Sequence, residues 1–173
     1  MRNVTTRLGR GAAIVAVVLL AGGCASFDGR GLVPGQSRAG DVEALMGPPA
    51  EKLALAGGES EWFYPRMPYG RQSFAVRLGA DGVVRSVEPR LTSENVMKLR
   101  IGATTAKDVR ALLGPPWRIT YLPRQQREVW EYTMYTADLK ESLLYTQFSG
   151  DGTLREVLVL RDLYFEPGGG AKD

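Results

Sequence analysis

The chain has 173 residues, with 22 Lys plus Arg against 19 Asp plus Glu, no histidine and a single cysteine. The missing histidine excludes Ser-His-Asp and Cys-His catalytic pairs and any His/Cys zinc site. Arg2, Arg7 and Arg10 account for the positive excess; the remainder carries 19 charges of each sign, which gives no support to a nucleic-acid partner.

The first 23 residues read as a secretory leader. Three arginines precede an unbroken apolar run of ten residues, Ala12 to Ala21, and small residues lead to Cys24. A membrane-crossing helix would need about 20 such residues. Cys24 cannot form an internal disulfide because no second cysteine exists. Its position resembles the lipobox of bacterial lipoproteins, whose cysteine carries a diacylglycerol and becomes the mature N-terminus. A buried core cysteine is the other reading, but nothing around Cys24 has the pattern of a core element. Ala25, in place of Asp, leads us to expect the periplasmic face of the outer membrane.

Beyond the leader the chain repeats itself. Gly35 to Pro49 and Gly102 to Pro116 are identical at 9 of 15 positions, including DV-x-AL-x-GPP in both. "EWFY" at Glu61 to Tyr64 answers "VWEY" at Val129 to Tyr132, and "ADGVVRSV" at Ala80 to Val87 answers "GDGTLREV" at Gly150 to Val157. The expected organisation is a leader at 1–23, a first unit with its tether at 24–90, a second unit at 91–166 and a tail at 167–173. In each unit Ser37 or Thr104 is expected to cap a helix. Val109, Leu112 and Leu113 mark its buried face, and Gly47 or Gly114 with the following prolines ends it. The helix precedes the glycine, so this is not a phosphate-binding loop, in which the helix follows. A shorter helical turn over Ser93–Leu99 fits the pattern; one over Ser26–Leu32 fits it poorly.

Strands follow each stop. Trp62, Tyr64, Phe74, Val76 and Leu78, with Trp130, Tyr132, Leu144 and Phe148, fall on one face at period two and are expected beneath the helices. Asp81-Gly82 and Asp151-Gly152 mark hairpin turns. The fold class expected is α+β: two tandem repeats, each of short helices packed on a three- or four-stranded antiparallel sheet. The opposite face would carry Phe63, Arg77, Glu131, Tyr135, Tyr145 and Gln147, a mixture that suits a protein-binding surface and equally a partly covered sheet. Two stretches break the repeat: "YPRMPYG" (Tyr64–Gly70) with Tyr69, and "YLPRQQREVW" (Tyr121–Trp130), with Arg124 and Arg127 in a longer hairpin loop. Either could bind a partner or simply be a solvated turn. The candidate partner-binding residues are therefore Phe63, Tyr69, Arg77, Arg124, Arg127, Tyr135, Tyr145 and Gln147.

The pattern G-x-[ST]-x-x-x-[DV]-V-x-x-L-[LM]-G-x-P, followed by a Trp-x-Tyr strand, resembles the BamE (SmpA/OmlA) lipoprotein domain. Gly102, Thr104, Val109, Leu112, Gly114, Pro116, Trp130 and Tyr132 carry the resemblance in the second unit, and Gly35, Ser37, Val42, Leu45, Gly47 and Pro49 in the first. Relatives of that type usually have one unit; the tandem looks like the β-lactamase inhibitor protein fold, in which both sheets line one concave surface. The resemblance implies an envelope lipoprotein that binds protein, with the β-barrel assembly machinery as the expected partner. Its alternative is a binding or inhibitor protein for a periplasmic enzyme. Neither requires a cofactor beyond the lipid on Cys24. Asp41, Asp108, Asp81 and Asp151 occupy repeated positions with local structural roles, so no enzymatic activity is expected.

Overall fold

A computed structural model of the chain describes residues 28–162. The leader, Cys24 and the tail at 167–173 lie outside the described residues, as does the end of the second unit.

The element order is α1 (Ala39–Met46), β1 (Glu51–Ala54), β2 (Ser60–Pro65), β3 (Ser73–Leu78), β4 (Val84–Pro89), α2 (Ser93–Met97), α3 (Ala106–Leu113), β5 (Arg118–Leu122), β6 (Arg127–Tyr135), β7 (Glu141–Ser149) and β8 (Leu154–Arg161). The strands form two antiparallel four-stranded sheets, ordered β1-β2-β3-β4 and β5-β6-β7-β8. The protein is thus two tandem sheet units and is richer in sheet than the expected α+β balance. The difference lies in the edge strands. Glu51–Ala54 has too few apolar residues to announce itself. Arg118–Leu122 runs into the stretch read as a loop from Tyr121 onward, yet it pairs with β6 from Arg118↔Glu131 to Leu122↔Arg127. Arg127 consequently belongs to a strand, and the connection shrinks to a turn at residues 123–126.

The segment before each helix is held the same way in both units. Gly35 and Gly102 have φ of 80° and 81°, and their amides donate to the carbonyls of Val84 and Leu154 at 2.8 Å. Only glycine takes such a φ without strain. Ser37 and Thr104 do not cap the helices. Their hydroxyls accept from the amides of Val33 (2.9 Å) and Arg100 (2.8 Å), closing the turn before the helix. Thr105, one residue later, caps α3 by accepting from the Asp108 amide, while the Asp108 carboxylate accepts from the Thr105 amide at 2.9 Å. In α1 the Asp41 carboxylate accepts from the Arg38 amide at 2.8 Å. No helix forms over residues 28–32, where the chain only turns.

Two cores follow from the period-two pattern. Val42 and Met46 of α1 pack on Trp62, Tyr64, Phe74, Val76 and Leu78. Val109 and Leu113 of α3, with Leu91 and Leu99, pack on Trp130, Tyr132, Leu144 and Phe148.

The other face of the first sheet is covered as well, by the second unit. Phe63 is 0% exposed, and Ser73 and Ala75 are buried beside it. Gly114, at the end of α3, lies over them so closely that a Cβ would meet Phe63 Cδ1 and Ser73 Oγ at 3.0 Å. Arg110 of α3 forks onto Glu51 of β1 at 2.6–2.9 Å. Arg90 pairs with the buried Glu61, and the Asn95 amide group donates to the Arg90 carbonyl at 2.8 Å. The layers therefore run α1, first sheet, α2–α3, second sheet. Because α2–α3 lie between them, the two sheets do not line a common concave surface.

Candidate functional site

With α2–α3 on one side of the second sheet, its other side is the one sheet face without a helix over it among the described residues. Cross-strand register builds that face from named rows. Arg118, Glu131, Tyr145 and Leu158 lie side by side from β5 to β8. Thr120, Val129, Gln147 and Glu156 form the next row, and Thr133, Leu143 and Leu160 continue on the other flank. The first of these rows, with Thr120, Leu122, Val129, Gln147 and Leu160, borders a shallow groove of about 380 Å³.

The polar groups of the face hold one another. Arg118 bonds Glu131 through Nε at 3.1 Å and Nη2 at 2.5 Å, and this carboxylate keeps the guanidinium pKa above its ordinary value. Arg127 donates at 3.2 Å to both Gln147 and Glu156. Burial, and next the Glu131 charge, push the Tyr145 hydroxyl up. Such paired charges are pre-oriented, and they flank an apolar strip in which Leu158 is 36% and Leu160 51% exposed.

Tyr145 and Gln147 share this face as their period predicts, with Tyr135 exposed at the far end of β6; Arg127, expected in a loop, joins them because it begins β6. The other candidates do not join them. Phe63 is not on an open face at all; it is sealed beneath Gly114, because the second unit covers that side of the first sheet. Arg77 lies on the same side of the first sheet, near its margin, bonded to Glu59 at 2.5–2.9 Å. Arg124 is in the exposed turn between β5 and β6.

The loop "YPRMPYG" is largely a clasp between the units. Met67 packs against the second core, the Gly70 carbonyl accepts from the Thr133 hydroxyl at 2.9 Å, and the following Arg71 is buried against Asp162 at 3.0 Å and Glu141 at 3.4 Å. Of this loop Tyr69 alone is almost wholly exposed, at 93%.

Arg118, Leu158 and Leu160 were absent from the sequence-based candidates. A β-bulge explains the two leucines. Gln147 pairs with Glu156 but Phe148 with Leu154, so Arg155 is an extra residue and the alternation changes phase there. Counted from the core residue Leu154 by twos, Leu158 and Leu160 would face inward; the bulge turns them out. The first sheet has the matching break at Arg77/Leu78, opposite Arg85.

No family model matches the chain. No curated protein matches it either. Among solved structures it is similar to a DUF4309 family protein, YjgB, from Bacillus subtilis, with 19% identity over 77% of this chain and 84% of the other, at a TM-score of 0.31. It is also similar to an extracellular protein containing an SCP domain from Bacillus anthracis, with 14% identity over 92% of this chain and 50% of the other, at 0.29. Overlaps this loose bear on neither fold nor function. Among the described residues, no three His, Cys, Asp or Glu side chains are grouped as a metal site would require, and no helix is long and apolar enough to cross a membrane.

Proposed function

We propose that the chain is a lipid-anchored periplasmic protein-binding module, without enzymatic activity, that serves assembly or maintenance of the outer membrane or envelope. The observation that carries the reading is an asymmetry between two equivalent surfaces. The first sheet's far face is covered by the end of α3, with Phe63 sealed beneath Gly114, while the matching face of the second sheet has no helix over it among the described residues, meets the first unit only at its Thr133 flank, and keeps Leu158 and Leu160 exposed. Lipid attachment is read from Cys24 and its leader. The envelope role is read from the resemblance of each unit to the BamE-type domain, short helices on a small antiparallel sheet.

Affinity purification of the tagged chain from envelopes after gentle crosslinking tests the role. Recovery of β-barrel assembly subunits is expected; their consistent absence counts against it.

A second reading is favoured by the tyrosines beside the paired charges of the face: a binding or inhibitor protein for a periplasmic enzyme. Replacing Tyr135 and Tyr145 together by Ala should then release a captured enzyme while leaving the fold intact.

A further inference from the structure

We infer that the open face of the second sheet receives α1 of a second copy of this chain, head to tail. The inference rests on the reading above for the face and goes beyond it by naming the occupant. The contact would reproduce, between molecules, the one that α3 makes with the first sheet inside each molecule.

The first argument is what α1 leaves unused. In α3 and its stop, Arg110 and Gly114 are turned to the first sheet, and Gly114 and the following Pro115 are buried. Gly47 and Pro48 repeat the glycine and proline at the end of α1, yet Pro48 is exposed and Gly47 has open space around it. The repeat thus preserves a docking end on α1 with nothing docked on it among the described residues.

The second argument is charge. Inside the chain, Arg110 on the helix meets Glu51 on the sheet. At the matching positions both signs are reversed together: the helix carries Glu43 and the sheet carries Arg118. Glu43 sits 3.1 Å from Lys52 with its side chain about half exposed, so it can reach a second cation, and placed on Arg118 it gives an opposite-sign pair at the same point of the interface. Glu43 on Glu51, or Arg110 on Arg118, would bring like charges together. The charges therefore direct α3 to the first sheet and α1 to the second, and disfavour the exchanged combinations. Arg118 spends two guanidinium N–H groups on Glu131, and a guanidinium has five, so a second carboxylate can share it.

The third argument is composition. Ser73, Ala75 and Glu88 on the first sheet's far face correspond to Leu143, Tyr145 and Leu158 on the second. A face that gains these apolar groups, although Glu131 replaces Phe63, and that has no helix over it suits a protein layer supplied from outside. Because α1 and the second sheet lie at opposite ends of the layers, the contact is heterologous and propagates unless its rotation closes a ring.

Sedimentation velocity of the purified full-length chain in detergent, across a concentration series, tests this. The expected result is a mass that rises with concentration from one copy to multiples. Arg118→Glu and Glu43→Arg should each weaken association by about tenfold or more. An equimolar mixture of these two variants should associate again, because each supplies the charge the other lacks. Leu158→Glu should weaken association without touching the ion pair. If Arg118→Glu does not fold beside Glu131, Glu43→Arg and Leu158→Glu decide the matter alone. A chain that stays monomeric throughout, or association that Glu43→Arg and Leu158→Glu leave unchanged, overturns the inference. With no other protein present, the outcome is separate from recovery of an envelope partner.

Discussion

Thr146 occupies the place in the second sheet that Val76 occupies in the first, each paired across to the repeat's tryptophan strand, at Trp130 and Trp62 respectively. It is fully buried, and its Oγ1 has no hydrogen-bond partner. A hydroxyl stripped of water without a replacement bond costs about 1–3 kcal/mol. Thr146→Val keeps the shape and removes the unpaired group, so it is expected to raise stability by about 1 kcal/mol in urea denaturation. A clear loss would mean that the hydroxyl is satisfied in solution. A second residue-scale contrast separates the two sheets. Phe63 becomes Glu131 at the equivalent point, which replaces a sealed aromatic contact by a carboxylate held by Arg118.

At the scale of elements, the two helix stops differ only in what surrounds them. Gly47 and Gly114 have φ of 82° and 85° with ψ near 180°, a region that essentially only glycine occupies. Gly47→Ala would add a Cβ into open space, so it carries the backbone cost alone, about 1–3 kcal/mol. Gly114→Ala carries that cost and also drives a Cβ to 3.0 Å from Phe63 and Ser73, which adds a further ~1–3 kcal/mol of overpacking. Chemical denaturation of both variants should therefore rank Gly114→Ala as the more damaging. Equal losses would show that the junction yields without cost.

For the whole molecule, the deciding contact is the clasp. Arg71 comes from the first unit, its side chain 3% exposed, and meets Asp162 at the end of the second, 4% exposed. Arg71 also donates to the Pro68 carbonyl at 2.8 Å, which fixes the loop that carries it. Breaking a buried ion pair by removing one member is strongly destabilising, by about 3–5 kcal/mol. Arg71→Met is expected to lower unfolding stability by an amount of that order, measured by equilibrium denaturation. A loss under about 1 kcal/mol would mean that water reaches Asp162 and that the clasp does not join the units.

Several of these features were legible in the chain itself. The nine aromatic and aliphatic residues that period two predicts for the cores are found there, because alternation along a strand is a local property. The duplicated GPP stop and the Asp-Gly turns are local too: Gly82 and Gly152 take φ of 72° and 77°, and Asp81 and Asp151 accept from the amides two residues on. The N-caps fall one residue later than the pattern predicts, at Arg38 and Thr105, since Ser37 and Thr104 close a turn tied to a distant hairpin. Which sheet faces are covered could not be read from one unit's sequence. The fate of Phe63, the role of Arg71 and the outward turn of Leu158 depend on how the second unit stacks on the first, and on a bulge visible only once the strands are paired. Periodicity determined what each unit buries within itself; long-range packing alone decided that one far face is sealed and its twin left open.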